Sequence, residues 1–341
     1  MGFVASQKRN TDIVIGLNAV VVAVTAGEPR VLTVNRPSEP STGRAGKPQD
    51  FVALPSGPFD PAGHRTLELG LRSWVGEQTN LTLGYVEQLY TFADLGRETG
   101  ALDSAVRMVS IGYLALTREA EPSGDNSAQW RNWYRYFPWE DGRRGRPAMV
   151  AETIEPQLAA WAAGARNPAE RVRRDQRVRT TFGLAPARWD EERVLERYEL
   201  LYEAGLVLEA RRDRGTLSDP AAPVLGEPMA MDHRRILATA MSRLRGKLKY
   251  RPVVFELMPP SFTLLQLQQS VEALAGMALH KQNFRRLVEQ GGLVERTGEW
   301  ERGTGGRPAE RFRFRREVVV ERPAPGVRLP IPRRIALTAS D

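Results

Sequence analysis

The sequence predicts a multidomain α+β protein of 341 residues, too long for one ordinary core. Two observations carry this reading. The first third holds β-branched apolar runs of strand length, interrupted once by an apolar stripe at helical spacing. The last third holds two amphipathic helix patterns in close succession, followed by two short strands. Three regions are expected: 1–120, 121–230 and 231–341.

In the first region, residues 13–24 (IVIGLNAVVVAV) read as a buried strand, and 31–35 as its hairpin partner across Ala26-Gly27-Glu28-Pro29. Residues 37–50, rich in Pro, Gly and Ser, read as a surface loop, and 51–55 as a short strand. Leu67, Leu71, Trp74 and Val75 place one apolar face on a helix over 65–78. Strands follow at 85–92 and 106–117, completing a mixed α/β sandwich of roughly 120 residues.

The middle region changes character. Residues 130–139 (WRNWYRYFPW) hold six aromatics, expected to form a packed cap or a dimer contact, and an arginine-rich loop runs from Gly142 to Pro147. Helices are expected at 154–161 and 191–208, and a Pro-rich linker at 211–230.

The C-terminal region is ordered as a winged helix-turn-helix. A basic helix is expected over 232–249. Thr263 with Gln266 forms a capping-box pattern, and Leu264, Leu267, Val271 and Leu274 define the buried face of the helix behind it. After a turn at Gly276, a helix over 280–290 points Phe284, Leu287 and Val288 inward and Gln282, Asn283, Arg285, Arg286 and Gln290 outward. Arg, Asn and Gln are the side chains that pair with base edges, so this is a candidate recognition helix. Strands at 293–297 and 311–315 flank a Gly-rich tip, with Phe312 and Phe314 alternating with Arg311, Arg313 and Arg315 as a cationic wing. The candidate DNA contacts are Thr263, Lys281, Gln282, Asn283, Arg285, Arg286, Arg307, Arg311 and Arg313.

Charge supports that assignment. Residues 232–341 carry 21 Lys+Arg against 11 Asp+Glu, a net of +10, whereas the whole chain is +8. Residues 1–231 therefore carry −2, and the positive field sits where DNA is expected. There is no cysteine, which excludes disulfides and thiolate-bound zinc. No run of 18 apolar residues offers a membrane span, and Met1–Asp12 lacks the apolar stretch of a signal peptide. A cytoplasmic location is expected.

The stretch from Leu54 to Thr79 resembles the box of a Nudix hydrolase, in which glutamates on one helix face hold Mg²⁺ against a pyrophosphate. Leu54-Pro55-Ser56-Gly57 is similar to its loop and Arg72 matches its arginine. His64, Ser73 and Gly76 stand where glutamates belong, Thr79 replaces the closing glycine, and Glu77 alone of the carboxylates is left. One carboxylate is too few for two divalent ions, so no catalytic residue and no metal ligand is expected.

Taken together, these motifs resemble the Nudix-related transcriptional regulators of NAD metabolism, and within them the NAD regulators of alphaproteobacteria. The resemblance rests on GLNAVVVAV (16–24), LPSGPFDP (54–61), VSIGYLALT (109–117), FELMPPSFTLLQLQ (255–268), HKQNFRRLVEQGGLVERTG (280–298) and GGRPAERFRF (305–314). It implies a Nudix-like α/β/α sandwich joined to a winged helix. It also implies a homodimeric repressor on inverted-repeat DNA, with no required cofactor and an effector nucleotide resembling ADP-ribose, NAD or ATP. Arg36, Arg65 and Arg72 are suited to phosphates, Phe51 and Tyr90 to stacking on a base, and Ser56 and Glu77 complete the candidate effector set. A Nudix-type pyrophosphohydrolase and a nucleotide-sensing adaptor that binds another protein are the rival readings.

Overall fold

A computed structural model describes residues 12–36, 51–94, 106–121, 128–216, 225–301 and 308–327. The chain opens with β1 (Asp12–Thr25) and β2 (Glu28–Arg36), an antiparallel hairpin. Its turn is two residues long, Ala26 (φ 52°) and Gly27 (φ 73°), the left-handed pair that matches strand twist. The expected four-residue turn is shorter because Glu28 and Pro29 already pair with Thr25 and Val24. β3 (Phe51–Ala53) adds to β2, and β4 (Ser56–Pro58), a strand too short to be legible, pairs with β1. Helix α1 (Leu67–Thr79) follows, then β5 (Tyr85–Phe92), β6 (Val106–Leu116) and β7 (Ala128–Asn132). Among the described residues these seven strands form one mixed sheet, with β1 parallel to β6 and the other pairings antiparallel.

Strand β1 is apolar on both faces because both are covered. Leu17, Ala19 and Val21 pack with Leu71 and Val75 of α1, while Val20 and Val22 face a second, larger core. Thr66 fixes the start of α1 by accepting a hydrogen bond from the Leu69 amide (3.1 Å), and Asn80 ends the helix in the left-handed conformation.

The middle region departs from expectation at its start. Ala128–Asn132 is a strand of the sheet, paired with Arg30–Val34 of β2, so the aromatic segment begins inside the sandwich. Trp133, Tyr134, Tyr136, Phe137 and Trp139 are buried in the larger core. They lie among α2 (Glu155–Ala163), α3 (Pro168–Phe182), α4 (Val194–Glu203) and α5 (Leu208–Asp213). Helix α3 went unforeseen because its sequence, PAERVRRDQRVRTTF, buries only Val178, Thr181 and Phe182. The single helix expected over 191–208 is broken at Gly205 (φ 75°), which starts a second helix at Leu208.

Helix α6 (His233–Tyr250) lies within one residue of expectation at each end. It packs on β1, β5 and β6 of the sheet as well as on α4 and the next helix, α7 (Leu264–Ala275). A Cβ on Gly112 would meet Ile236 Cγ2 at 3.0 Å. Helix α6 therefore also covers the sheet, and one continuous core runs from Val20 to Val327. Beyond it, β8 (Phe262–Thr263), α7, α8 (Lys281–Gln290), β9 (Val294–Glu301) and β10 (Ala309–Phe314) complete the winged helix, its three strands ordered β8-β10-β9. No helix among the described residues is long and apolar enough to cross a membrane.

Candidate nucleic-acid interface and nucleotide loop

Helix α8 is amphipathic in the expected sense. Phe284 and Val288 are buried, Leu287 is half-buried, Lys281, Gln282, Arg285, Arg286 and Gln290 are exposed, and Asn283 is half-buried. Arg286 Nη2 donates to Asn283 Oδ1 (2.8 Å), which pre-orients two of the polar side chains. The side chains of Lys281, Gln282 and Arg285 make no hydrogen bond or ion pair among the described residues. A row of unspent donors on a helix is the form in which base edges and phosphates are met.

Thr263 does not belong to that surface. It is buried, its Oγ1 accepts from the Gln266 amide (3.2 Å), and Gln266 Oε1 accepts from the Thr263 amide (2.8 Å). The capping box uses the one hydroxyl that was also expected to meet DNA.

The wing keeps its alternation but is less cationic than its strand suggests. Phe312 is buried, and Phe314 stacks on Phe255 with centroids 4.2 Å apart. Arg313 Nε donates to Glu295 Oε1 (2.6 Å), Arg296 pairs with Glu310 at 3.5 Å, and Arg315 Nε donates to the Gly292 carbonyl (3.0 Å). Arg311 is half-buried and donates to the Ser261 carbonyl (2.8 Å). Reading the second strand alone missed Glu295, which the neighbouring strand sets opposite Arg313. Arg307, at the tip, lies outside the described residues.

The Nudix-like loop is held from three sides. Arg36 Nη2 donates to both the carbonyl and the Oγ of Ser56 (2.9 Å each). Gln78 donates to the same carbonyl (2.8 Å) and accepts from the Ser56 amide (3.1 Å). The Leu54 amide donates to His233 Nδ1 (2.9 Å), tying the loop to the start of α6. Burial, reinforced by Arg36 and Arg212, pushes the His233 pKa down to about 3, so the imidazole is neutral and its Nδ1 free to accept. Gln78 and His233 were not singled out from sequence. Gln78 follows the box glutamate, and His233 is 179 residues from Leu54.

The structure joins Arg36 to Ser56 but separates the other candidates. Arg72 is committed to Glu68 (2.9 and 2.8 Å) and to the Leu83 and Gly84 carbonyls. Glu77 is exposed and accepts from Ser73 Oγ (2.7 Å), and Arg65 is exposed. For Phe51 only the backbone is described. Tyr90, 60% exposed, lies on the far edge strand, where it lines an open groove of about 670 Å³ with Arg235, Arg243 and Tyr250.

Where box carboxylates would converge, aromatic rings pack instead. A Cβ on Gly57 would sit 2.2 Å from the Trp74 ring, whose Nε1 donates to the Pro58 carbonyl (2.8 Å). His64 lies between Phe59 (5.8 Å) and Trp74 (6.3 Å), and its Nδ1 accepts from the Asp60 amide (3.0 Å). No group of three His, Asp or Glu among the described residues is placed to hold a metal ion. This donor set does not suit Mg²⁺.

Residues 254–314 match the family described as the NrtR DNA-binding winged helix domain. A curated relative, the ADPR responsive transcriptional repressor NtrR of Acinetobacter baylyi, is 41% identical over 86 residues. That match covers 25% of this chain and about a third (34%) of the repressor. NrtR of Shewanella oneidensis, solved with a 27mer DNA, superposes with a TM-score of 0.52 at 20% identity, over 90% of this chain and 95% of that one. A MutT/nudix family protein from Enterococcus faecalis gives 0.50 at 15% identity, over 92% and 90%. The chain thus has the fold of these solved proteins, a Nudix-like sandwich joined to a winged helix, and its residues 254–314 match the NrtR DNA-binding winged helix domain.

Proposed function

We propose that the protein is a transcriptional repressor of NAD biosynthesis genes. It binds palindromic operator DNA as a homodimer and responds to ADP-ribose or a related nucleotide through a Nudix-like domain that does not hydrolyse it. The observation that carries this reading is the outer face of α8, where Lys281, Gln282 and Arg285 stand exposed and unspent. The winged-helix match, the DNA-bound protein of the same fold and the ADPR-responsive relative support it. So does the loop at Ser56, cradled by Arg36 and Gln78, beside a box-like stretch that carries His64, Ser73 and Gly76 with Glu77. The long middle region supports the alphaproteobacterial subgroup.

A nucleotide shifts operator affinity only by its differential affinity for the two DNA-binding arrangements. The test is a gel shift of the purified protein on the promoters of NAD genes from its own genome, with ADP-ribose, NAD or ATP added. Retardation of those promoters, changed by one of the nucleotides, is the expected result. Equal binding to unrelated DNA overturns it, and so does turnover of ADP-ribose with Mg²⁺ well above background.

A further inference from the structure

The end of α7 is capped from outside the winged helix. The last four carbonyls of a helix have no partner within it and must be satisfied elsewhere. Here Tyr134 Oη donates to the Ala273 carbonyl (2.7 Å) and Arg245 Nε to the Leu274 carbonyl (3.0 Å). The Gly142 amide donates to the Gly276 carbonyl (2.8 Å), and a β-bridge joins Gly142 to Met277. These positions form the last turn of α7 and the turn that leads to the recognition helix, and their partners belong to the middle region and to α6.

The approach is close because two glycines face each other. A Cβ on Gly276 would meet the Glu140 carbonyl at 2.4 Å, and one on Gly142 would meet the Gly276 carbonyl at 2.9 Å. Behind them Glu140 is fully buried between Arg197 (2.5 and 2.8 Å) and Arg245 (2.7 Å), which fixes the Arg245 guanidinium against α7. Pivoting the winged helix on the sandwich therefore breaks several buried hydrogen bonds at once, each leaving a desolvated partner.

We infer that the 133–146 segment is a splint that sets the angle of the winged helix on the Nudix-like body, with Tyr134 a positioning residue for DNA recognition. The inference rests on the proposed operator binding. In a two-fold dimer the angle of each winged helix fixes the distance between recognition helices, hence the half-site spacing accepted.

The test compares wild type and Tyr134→Phe, which keeps the ring and deletes the hydroxyl that donates to the Ala273 carbonyl and accepts a long bond from Arg245 Nη2 (3.4 Å). Both are titrated on an operator of natural spacing and on one lengthened by a base pair between half-sites. Wild type is expected to prefer the natural spacing sharply. The variant is expected to lose roughly fivefold of that preference, the value of about one buried hydrogen bond, with its salt dependence unchanged. Equal preference in both proteins overturns the splint alone, and absence of specific binding by wild type overturns it together with the proposed function. Hydrogen exchange on the wild-type chain is the second measurement. The amides of Gly142 and Gly276 should exchange as slowly as those in the middle of α6, and rapid exchange there overturns the inference.

Discussion

Replacing Glu140 with Gln should destabilise the protein by about 3–5 kcal/mol, the range for removing one partner of a buried ion pair. Glu140, Arg197 and Arg245 are each fully buried, with charge-assisted contacts of 2.5, 2.7 and 2.8 Å. At an effective dielectric constant near 20, a carboxylate and a guanidinium about 4 Å apart attract by about 4 kcal/mol. The variant loses two such attractions and leaves two buried cations facing an amide. Relief from burying the carboxylate offsets part of the loss, which brings the net into the stated range. Typical domains hold only about 5–15 kcal/mol in all, so the effect is large. Urea unfolding followed by tryptophan fluorescence reads it, since Trp133 and Trp139 lie in the same core. The pH dependence is a second signature. Burial raises the Glu140 pKa, but the two guanidiniums more than reverse this and hold it below its ordinary 4.5. A depressed carboxylate contributes stability above its unfolded pKa and loses it as pH falls through the folded one. The gap between wild type and variant should therefore be full at neutral pH and narrow below pH 4.5. A loss under ~1 kcal/mol at neutral pH would refute the reasoning, because an exposed pair costs no more than that.

Two further predictions concern the interface and the loop. Glu295→Gln releases Arg313 from its cross-strand pair and removes a negative charge from the wing, so DNA affinity should rise a few-fold at low salt in an anisotropy titration; unchanged affinity would place the wing away from the phosphates. His233→Gln keeps a hydrogen-bond acceptor for Leu54 but does not titrate. The wild-type His233 pKa is depressed from 6.5 to about 3, so its contribution to stability is lost as pH falls below 6.5. Thermal melts at pH 7 and pH 5 should show that loss in wild type and a smaller one in the variant. Equal slopes would mean that His233 is charged or exposed.

Much of this architecture was legible because local signals and burial agree. Strand β5 runs over the expected residues 85–92, and β1 and β6 lie within one residue of expectation at each end, because continuous β-branched runs have few other uses. Helices α7 and α8 were announced by a capping box and by an apolar stripe. What stayed hidden was long-range or two-sided. β7 is five mostly polar residues whose reason to be a strand is the open edge of β2. Glu140 finds its arginines 57 and 105 residues away, beyond any local pattern. Thr263 shows one hydroxyl read for two tasks, of which the cap prevailed. Arg72 matched a box arginine, yet its fork is spent on holding the 83–84 loop to α1.

The central claim is that the exposed face of α8 reads DNA, and an operator titration of Arg285→Ala and the Arg285→Ala/Arg286→Ala double variant across salt concentrations tests it most directly. Arg285 is exposed and unpartnered among the described residues, while Arg286 is steadied by Asn283. Loss of a base contact should weaken specific binding by about 1–3 kcal/mol and relax sequence preference, whereas loss of a phosphate contact should lower the salt slope by roughly one. Wild-type affinity and an unchanged salt slope in the double variant would contradict the account.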